Sequence, residues 1–179
     1  MNYTPPVFEP VVYVPAPNKD QVRNLLVHGI YAVSHETIPI PGGANHWCLY
    51  FRTSKHESVR VDMTPSHIQP STVLSGGSKG NMIISYPQSP WSNSVTCVVS
   101  MSVCENLTVG FQLDYLIASN RHRYEFDGSG QGCRTWTSDQ IHLLSNAGYM
   151  TGPVAEAHSA ILLAYPSKTP VALARGAYY

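Results

Sequence analysis

Two adjacent runs, NHWCLYFR at residues 45–52 and SVRVDM at residues 58–63, decide the fold of this chain. Both are rich in β-branched and aromatic residues and are separated by a short polar segment, which predicts two antiparallel strands joined by a turn. With three residues in that turn, His46 falls directly opposite Asp62. Their Cβ atoms would then lie about 5 Å apart, within reach of a side-chain hydrogen bond.

Length and composition limit the class of protein. A chain of 179 residues can bury a core without disulfides or metals, so we predict one domain over 1–179, with residues 1–17 available as an extended arm. The formal net charge is zero and 12% of residues are charged, which argues against nucleic-acid or anionic-membrane partners. No stretch is long and apolar enough for a membrane span, and the start lacks a signal pattern. We therefore expect a soluble, cytoplasmic protein.

The rest of the chain predicts an α+β fold in which an antiparallel sheet is packed with helices. Further strands are predicted at 30–38, 81–86, 94–103 and 170–179, the strand at 94–103 being at the buried centre of the sheet. Helices are predicted at 19–28, 106–118, 133–146 and 153–165. The helix at 106–118 is expected to turn Leu107, Phe111, Tyr115 and Ile117 inward. Residues 39–43 and 65–80 are predicted to be loops.

Cys133 is the candidate nucleophile. The glycine-rich turn at 127–132 delivers it to the start of a helix, where the partial positive charge of the helix N-terminus stabilises a thiolate. Backbone N–H groups of the turn, with Gln131, can stabilise an oxyanion, and Arg134 can assist. Cys48, Cys97 and Cys104 fit better as small buried residues, and all four cysteines fit reduced thiols.

A nucleophilic thiol needs a base and an orienting partner for that base. His46 on one strand and Asp62 on the next supply both in one local unit. The other histidines lack paired metal-ligand spacing, so we predict neither a metal nor a cofactor. Candidate substrate contacts near these three residues are Gln131, Arg134, Trp136, Trp47, Tyr50 and Tyr124.

The order of these motifs resembles a known family. His46-Trp47-Cys48-Leu49-Tyr50-Phe51 and Val59-Arg60-Val61-Asp62-Met63-Thr64-Pro65 are similar to the paired strands of the lecithin:retinol acyltransferase-like proteins, which belong to the NlpC-type, circularly permuted papain-like superfamily. A helix, Tyr124 and then Gly132-Cys133-Arg134 follow in the family's order. The resemblance implies a permuted papain-like fold with Cys133 as nucleophile, His46 as base and Asp62 as third member.

A second resemblance covers most of the chain from about residue 30. The chain is similar to uncharacterised fungal proteins that carry an N-H-W strand and a later G-C-R-x-W helix start. Here these motifs are Asn45-His46-Trp47 and Gly132-Cys133-Arg134-Thr135-Trp136. This resemblance implies no activity.

Three functions are consistent with these residues. The first is a cysteine-dependent hydrolase or acyltransferase that acts on a small amide, ester or thioester. The second is a cofactor-free cyclase or isomerase of secondary metabolism that uses His46 or Asp62 as acid and base, without a covalent bond to Cys133. The third is a non-catalytic binding domain with a vestigial site. The expected partner is a small molecule, and a homo-oligomer is compatible with the sequence.

Overall fold

The computed structural model describes residues 7–36 and 44–179. Its strands are β1 (Val11–Val14), β2 (Gly29–His35), β3 (His46–Arg52), β4 (Ser58–Pro70), β5 (Ser78–Gln88), β6 (Val95–Val103), β7 (Tyr124–Phe126), β8 (Met150–Thr151), β9 (Leu163–Ala164), β10 (Thr169–Pro170) and β11 (Ala177–Tyr178). Its helices are α1 (Lys19–Arg23), α2 (Val109–Ala118), α3 (Cys133–Asn146) and α4 (Val154–Ile161), with a short 3-10 turn at Ala16–Asn18.

The sheet has the order β11-β7-β5-β4-β3-β2-β6-β8. Strands β2 to β5 form an antiparallel meander in which each strand pairs with the next along the chain. β1 adds to β5 in parallel, so the predicted N-terminal arm is partly a strand. β9 and β10 form a separate hairpin. The prediction of an α+β fold with an antiparallel sheet is confirmed.

Alternation along β3 decides which side chains meet the helices. Trp47, Leu49 and Phe51 point into the main core, where each is fully buried. α3 packs on this face through Trp136, and Thr137 donates a hydrogen bond from Oγ1 to the Trp47 carbonyl at 3.1 Å. Burying side chains of this size contributes about 1.5–3 kcal/mol each. This packing holds the beginning of α3 close to the beginning of β3.

The opposite face of β3 carries a smaller cluster. Cys48 and Tyr50 are fully buried there together with Val33 of β2. The segment between β5 and β6 packs against this cluster, and Trp91 meets Tyr31 edge-on with ring centroids 5.3 Å apart. The sheet is therefore covered on both faces near the start of β3.

The predicted hairpin register between β3 and β4 was wrong by two residues. The structure pairs Arg52 with Ser58, so Asp62 lies diagonally from His46 rather than opposite it. The turn has five residues because the Thr53 and Ser54 N–H groups both donate to the Glu57 carbonyl. A shift of two residues keeps every side chain on its predicted face, so the contact between His46 and Asp62 survives.

The predicted loop at 65–80 is confirmed only at residues 71–77. β4 continues to Pro70 and β5 begins at Ser78, with Pro65 paired to Gly80. Turn-forming residues suggested a loop, but pairing with the neighbouring strand supplies the hydrogen bonds that keep the backbone extended. Residues 37–43, which include the end of the predicted strand at 30–38 and the predicted loop at 39–43, lie outside the described residues.

The helices differ from prediction mainly at their ends. α1 ends at Arg23 because the chain turns, and Val27 N–H donates to the Leu107 carbonyl instead of continuing the helix. α2 begins after Thr108, whose side chain accepts from Phe111 N–H. α4 ends at Ile161 rather than near residue 165, and the predicted terminal strand is reduced to the two residues of β11.

The inner face of α2 was predicted only in part: Tyr115 and Ile117 pack against the main core, but Phe111 does not. Phe111 is 40% exposed, and the buried residues are Val109, Gly110, Gln112, Leu113 and Leu116. β6 is only partly buried and lies between β2 and the short β8, so it is not the centre of the sheet. Within the described ranges, no helix has the length and apolarity needed to cross a membrane.

Candidate functional site

His46 and Asp62 form a close pair at the start of β3. The His46 Nε2 donates to Asp62 Oδ1 at 2.5 Å. The Asp62 side chain is 7% exposed, whereas the His46 side chain is 30% exposed and faces partly to solvent. Because Nε2 is bound to Asp62, Nδ1 is the ring nitrogen left for a second partner. The geometry fits an orienting carboxylate and a base.

Arg60, two residues before Asp62 on the same face of β4, holds the other oxygen of the carboxylate. Its Nη2 donates to Asp62 Oδ2 at 2.5 Å. Burial alone would raise the pKa of Asp62, but the hydrogen bond and charge of His46, with the charge of Arg60, outweigh it and lower this pKa. Asp62 is therefore a carboxylate between two cations.

Cys133 is the first residue of α3, after Gly132. Its peptide N–H, like those of the next two residues, precedes the first intrahelical bond, from Trp136 N–H to the Gly132 carbonyl. The Cys133 thiol lies close enough to the His46 side chain and the Trp47 backbone for each of them to change its acidity. The structure therefore brings the three predicted catalytic residues close together, with the thiol beside the imidazole.

The contact between Cys133 and His46 changes the acidity of both groups. Burial opposes the charged imidazolium, but the hydrogen bond to Asp62 and the neighbouring Cys133 raise the pKa of His46 to about 10. Burial likewise opposes the thiolate, but the neighbouring His46, with the Trp47 backbone, lowers the pKa of Cys133. Near neutral pH these directions favour a thiolate beside an imidazolium, which is the reactive form of a cysteine nucleophile.

The turn before Cys133 is fixed by hydrogen bonds from both sides. Within it, Asp127 Oδ1 accepts from the N–H groups of Ser129 and Gln131, both at 2.9 Å. From outside, the Tyr124 hydroxyl donates to the Gly132 carbonyl at 2.9 Å and accepts from Gly176 N–H at 3.0 Å. Tyr124 is fully buried, so it supports the turn rather than contacting a substrate as predicted.

Replacing Gly132 with alanine is expected to destabilise the fold and slow alkylation of Cys133. Gly132 has φ +153°, and an added Cβ would lie 3.1 Å from ring atoms of both Tyr124 and Phe126. We expect backbone strain of about 1–3 kcal/mol, measured by urea denaturation. Gly148→Ala is the matched control at the other end of α3, since Gly148 has φ +75° and open space around it. Equal alkylation rates in the two variants would contradict this prediction.

Two aromatic residues predicted to line a substrate pocket do not reach the surface. Trp47 and Trp136 both have 0% exposure and pack in the main core. The Trp136 Nε1 donates to the Arg121 carbonyl at 2.8 Å. Tyr50 is also fully buried, with its hydroxyl 3.3 Å from His35 Nε2. These corrections share one cause, because large aromatic side chains beside a site are preferentially used for packing.

The side chains of Gln131 and Arg134 differ in their exposure. Gln131 is exposed beside the turn and remains a candidate contact. Arg134 is only 5% exposed, and its guanidinium donates to backbone carbonyls, among them Ile161 at 2.7 Å. The prediction that Arg134 contacts substrate is therefore wrong, because its donors are directed into the protein.

His35 was missed by the sequence reasoning. It pairs across the sheet with His46, and the two ring centroids are 6.4 Å apart. Its Nε2 lies 3.4 Å from the Cys48 sulfur, and its Nδ1 lies 3.1 Å from the hydroxyl of Ser94. Burial, followed by the charges of Arg60 and His46, lowers the pKa of His35 to about 4, so this ring is neutral. Its place within the predicted strand at 30–38 was the available signal.

A cavity of about 660 Å³ lies on one side of the turn, between residues 67–78 and 127–130. Glu125 borders this region, and its carboxylate accepts hydrogen bonds from Ser71, Thr72 and Val73, which fixes the loop that forms the cavity wall. In the part of the chain that the structure describes, no three His, Cys, Asp or Glu side chains are grouped so that they could hold a metal ion.

The fold and the site together define an α+β protein with a cysteine at a helix start beside a histidine–aspartate pair on neighbouring strands. A family model described as a domain of unknown function (DUF7770) matches residues 30–179, and the chain belongs to this family. The match covers both strands of the histidine–aspartate pair and the helix of Cys133. No curated protein and no solved structure matches the chain.

Proposed function

We propose that this protein is a cysteine-dependent hydrolase or acyltransferase that acts on a small amide, ester or thioester. The observation that carries the proposal is the position of His46, which is hydrogen-bonded to Asp62 and lies beside Cys133 at the start of α3. A vestigial site would be expected to lose this alignment, because only reactivity requires a thiol, an imidazole and a carboxylate to lie next to one another in this spatial order. The helix-borne cysteine and the order of the three residues also support a permuted papain-like assignment.

In the proposed reaction, the Cys133 thiolate attacks the carbonyl carbon of the substrate and forms a C–S bond. The bond to the leaving amine, alcohol or thiol then breaks, and the leaving group takes its proton from the His46 imidazolium. His46, now neutral, accepts a proton from water or from a second nucleophile as that nucleophile attacks the thioester. The C–S bond breaks, and the proton on His46 again pairs with the Cys133 thiolate.

This reaction needs hydrogen-bond donors that stabilise the negative charge developing on the carbonyl oxygen of the substrate. The first peptide N–H groups of α3, including that of Cys133, have no acceptor within the helix and are available to stabilise the oxyanion. Asp62 remains ionised throughout, because His46 and Arg60 both lower its pKa. It orients His46 and stabilises the imidazolium without itself exchanging a proton.

We expect iodoacetamide at pH 7 to alkylate Cys133 about tenfold faster than Cys104. The folded protein is labelled, and the two rates are measured by mass spectrometry of its peptides. Cys104 is the internal reference because it is exposed and lies away from His46. Cys133 is only partly exposed, so access would favour Cys104, and only a larger thiolate fraction reverses the order. Labelling of Cys133 no faster than Cys104 would contradict the proposal.

Acyl transfer itself is tested by intact-mass measurement after mixing the protein with p-nitrophenyl acetate, short acyl thioesters and small amides. We expect an acyl adduct on the wild type that disappears with time, and no adduct on Cys133→Ala. Cys104→Ala is the matched control and should form the adduct as the wild type does. Turnover of a substrate that persists in Cys133→Ala would instead favour the cyclase or isomerase alternative, in which His46 acts without a covalent intermediate.

A further inference from the structure

The residue before the base and the residue after the candidate nucleophile are bonded to each other. Arg134 Nε donates to the Asn45 carbonyl at 3.3 Å, and Nη2 donates to Asn45 Oδ1 at 3.5 Å. Asn45 is joined directly to His46, and Arg134 is joined directly to Cys133. A shift between α3 and β3 that separated the thiol from the imidazole would therefore also strain this contact.

Both polar atoms of the Asn45 side chain form hydrogen bonds that hold the residue in place. Its Nδ2 donates to the carbonyls of His35 at 3.0 Å and Tyr165 at 3.1 Å, while Oδ1 accepts from Tyr165 N–H at 2.6 Å. The residue is 1% exposed. These bonds tie two separate segments, the end of β2 at His35 and the residue after β9 at Tyr165, to the start of β3, so Asn45 is a fixed point against which Arg134 is positioned.

Arg134 is a buried cation held only by carbonyl dipoles. Besides Asn45, its acceptors are the carbonyls of Ile161 at 2.7 Å and Leu163 at 3.2 Å, at the end of α4. Within residues 7–36 and 44–179 no carboxylate forms an ion pair with it. A buried charge without a counterion costs stability, and an uncharged side chain could fill the same space. The neighbouring Cys133 thiolate is the negative group that this charge can stabilise.

We propose that Asn45 and Arg134 are positioning residues for the proposed cysteine chemistry: they hold His46 against Cys133, and Arg134 adds positive potential beside the thiolate. This inference rests on the proposed function. It assigns a role to Asn45 in the motif Asn45-His46-Trp47 and to Arg134 in the motif Gly132-Cys133-Arg134. Neither residue takes part in the proposed reaction itself. Neither side chain contacts the substrate, and both act through the residue next to them.

The test measures the rate of Cys133 alkylation by iodoacetamide between pH 5 and pH 10. In Arg134→Met we expect the midpoint of the pH profile to rise by about one unit, which corresponds to about tenfold less thiolate at pH 7. Arg134→Lys keeps the charge and loses the planar fork, so its midpoint should rise less than that of the methionine variant. Asn45→Ala keeps the charge of Arg134 and should slow alkylation by loosening His46.

Ser138→Ala is the matched control, because it removes a 2.7 Å contact between α3 and His158 of α4 without touching β3. Its alkylation midpoint should equal that of the wild type, even if its thermal midpoint falls. All rates are measured below the melting temperature found by circular dichroism. If Arg134→Met does not fold, Arg134→Lys and Asn45→Ala carry the test.

Wild-type midpoints and rates in the folded Arg134 and Asn45 variants would overturn this inference and leave the proposed function intact. The same is true of a shift in Ser138→Ala equal to that in the Arg134 variants, since it would show that general loosening of α3 is sufficient. A wild-type Cys133 that reacts no faster than Cys104 would overturn the proposed function and this inference together.

Discussion

Replacing His46 with alanine is expected to slow alkylation of Cys133 at pH 7 by about two orders of magnitude. The hydrogen bond and charge of His46 are the main influences that lower the pKa of this buried thiol, and burial raises the pKa once they are gone. A thiol with a pKa near 9 is only about 1% ionised at pH 7. The loss of acyl transfer should be at least as large, because His46 also delivers and accepts the proton.

The pH profile distinguishes this effect from simple damage. The wild-type alkylation rate should rise at a pH below 9.0, as Cys133 ionises, and should change again near pH 10, where His46 loses its proton. His46→Ala should show one transition, displaced to higher pH. His142→Ala is the control, since His142 also lies on the α3 side of the protein and stacks on His158. A His46→Ala profile that coincides with the wild type would refute the thiolate–imidazolium pair.

Replacing Asp62 with asparagine is expected to lower acyl-transfer activity by about 10²-fold or more, because His46 loses its orienting carboxylate. The same change leaves Arg60 half-buried without an anion, so the fold should also lose stability. The double variant Arg60→Met/Asp62→Asn separates the two effects. It removes the unpaired charge and should recover stability in urea denaturation, while its activity stays low.

Recovery of activity in the double variant would show that Asp62 serves stability alone. The wild-type pH dependence gives a second measurement. The lowered pKa of Asp62 means that its contribution to stability is present above about pH 4 and is lost as the pH falls through its folded pKa. The raised pKa of His46 means that its contribution is present below pH 6.5 and is lost as the pH rises toward 10. In the double variant, the free energy of unfolding should depend less on pH in both of these ranges.

The histidine–aspartate pair could be predicted because it depends on which face of a strand a residue occupies. The turn is two residues longer than predicted, which shifts β4 by two positions relative to β3. A shift by an even number of residues keeps Asp62 on the same face of the sheet as His46. The exact register could not be read from composition, since it follows from the bonds that close the turn at Glu57. The same reasoning explains why the strand residues at 65–70 and 78–80 were missed: their backbone is held by pairing between β4 and β5.

The start of α3 could be predicted from a local signal, the glycine-rich turn, whereas the roles of the residues around Cys133 could not. Arg134 and Trp136 were expected at a pocket because they follow the cysteine, yet both side chains turn into the protein. Which side of a short helix start faces solvent depends on what packs against it, here the end of α4 and the Arg121 carbonyl. His35 was overlooked for the converse reason: its role follows from pairing across β2 and β3.

The chain separation of the three site residues has a consequence for how the protein opens. His46 and Asp62 are 16 residues apart in a hairpin, whereas Cys133 arrives on a helix that docks from far along the chain. Closing the longer loop costs about 1.5 kcal/mol more chain entropy than closing the hairpin. Partial opening that releases α3 therefore separates the thiol from a hairpin that stays formed. In rising denaturant, Cys133 should lose its special reactivity before the sheet loses its circular dichroism signal.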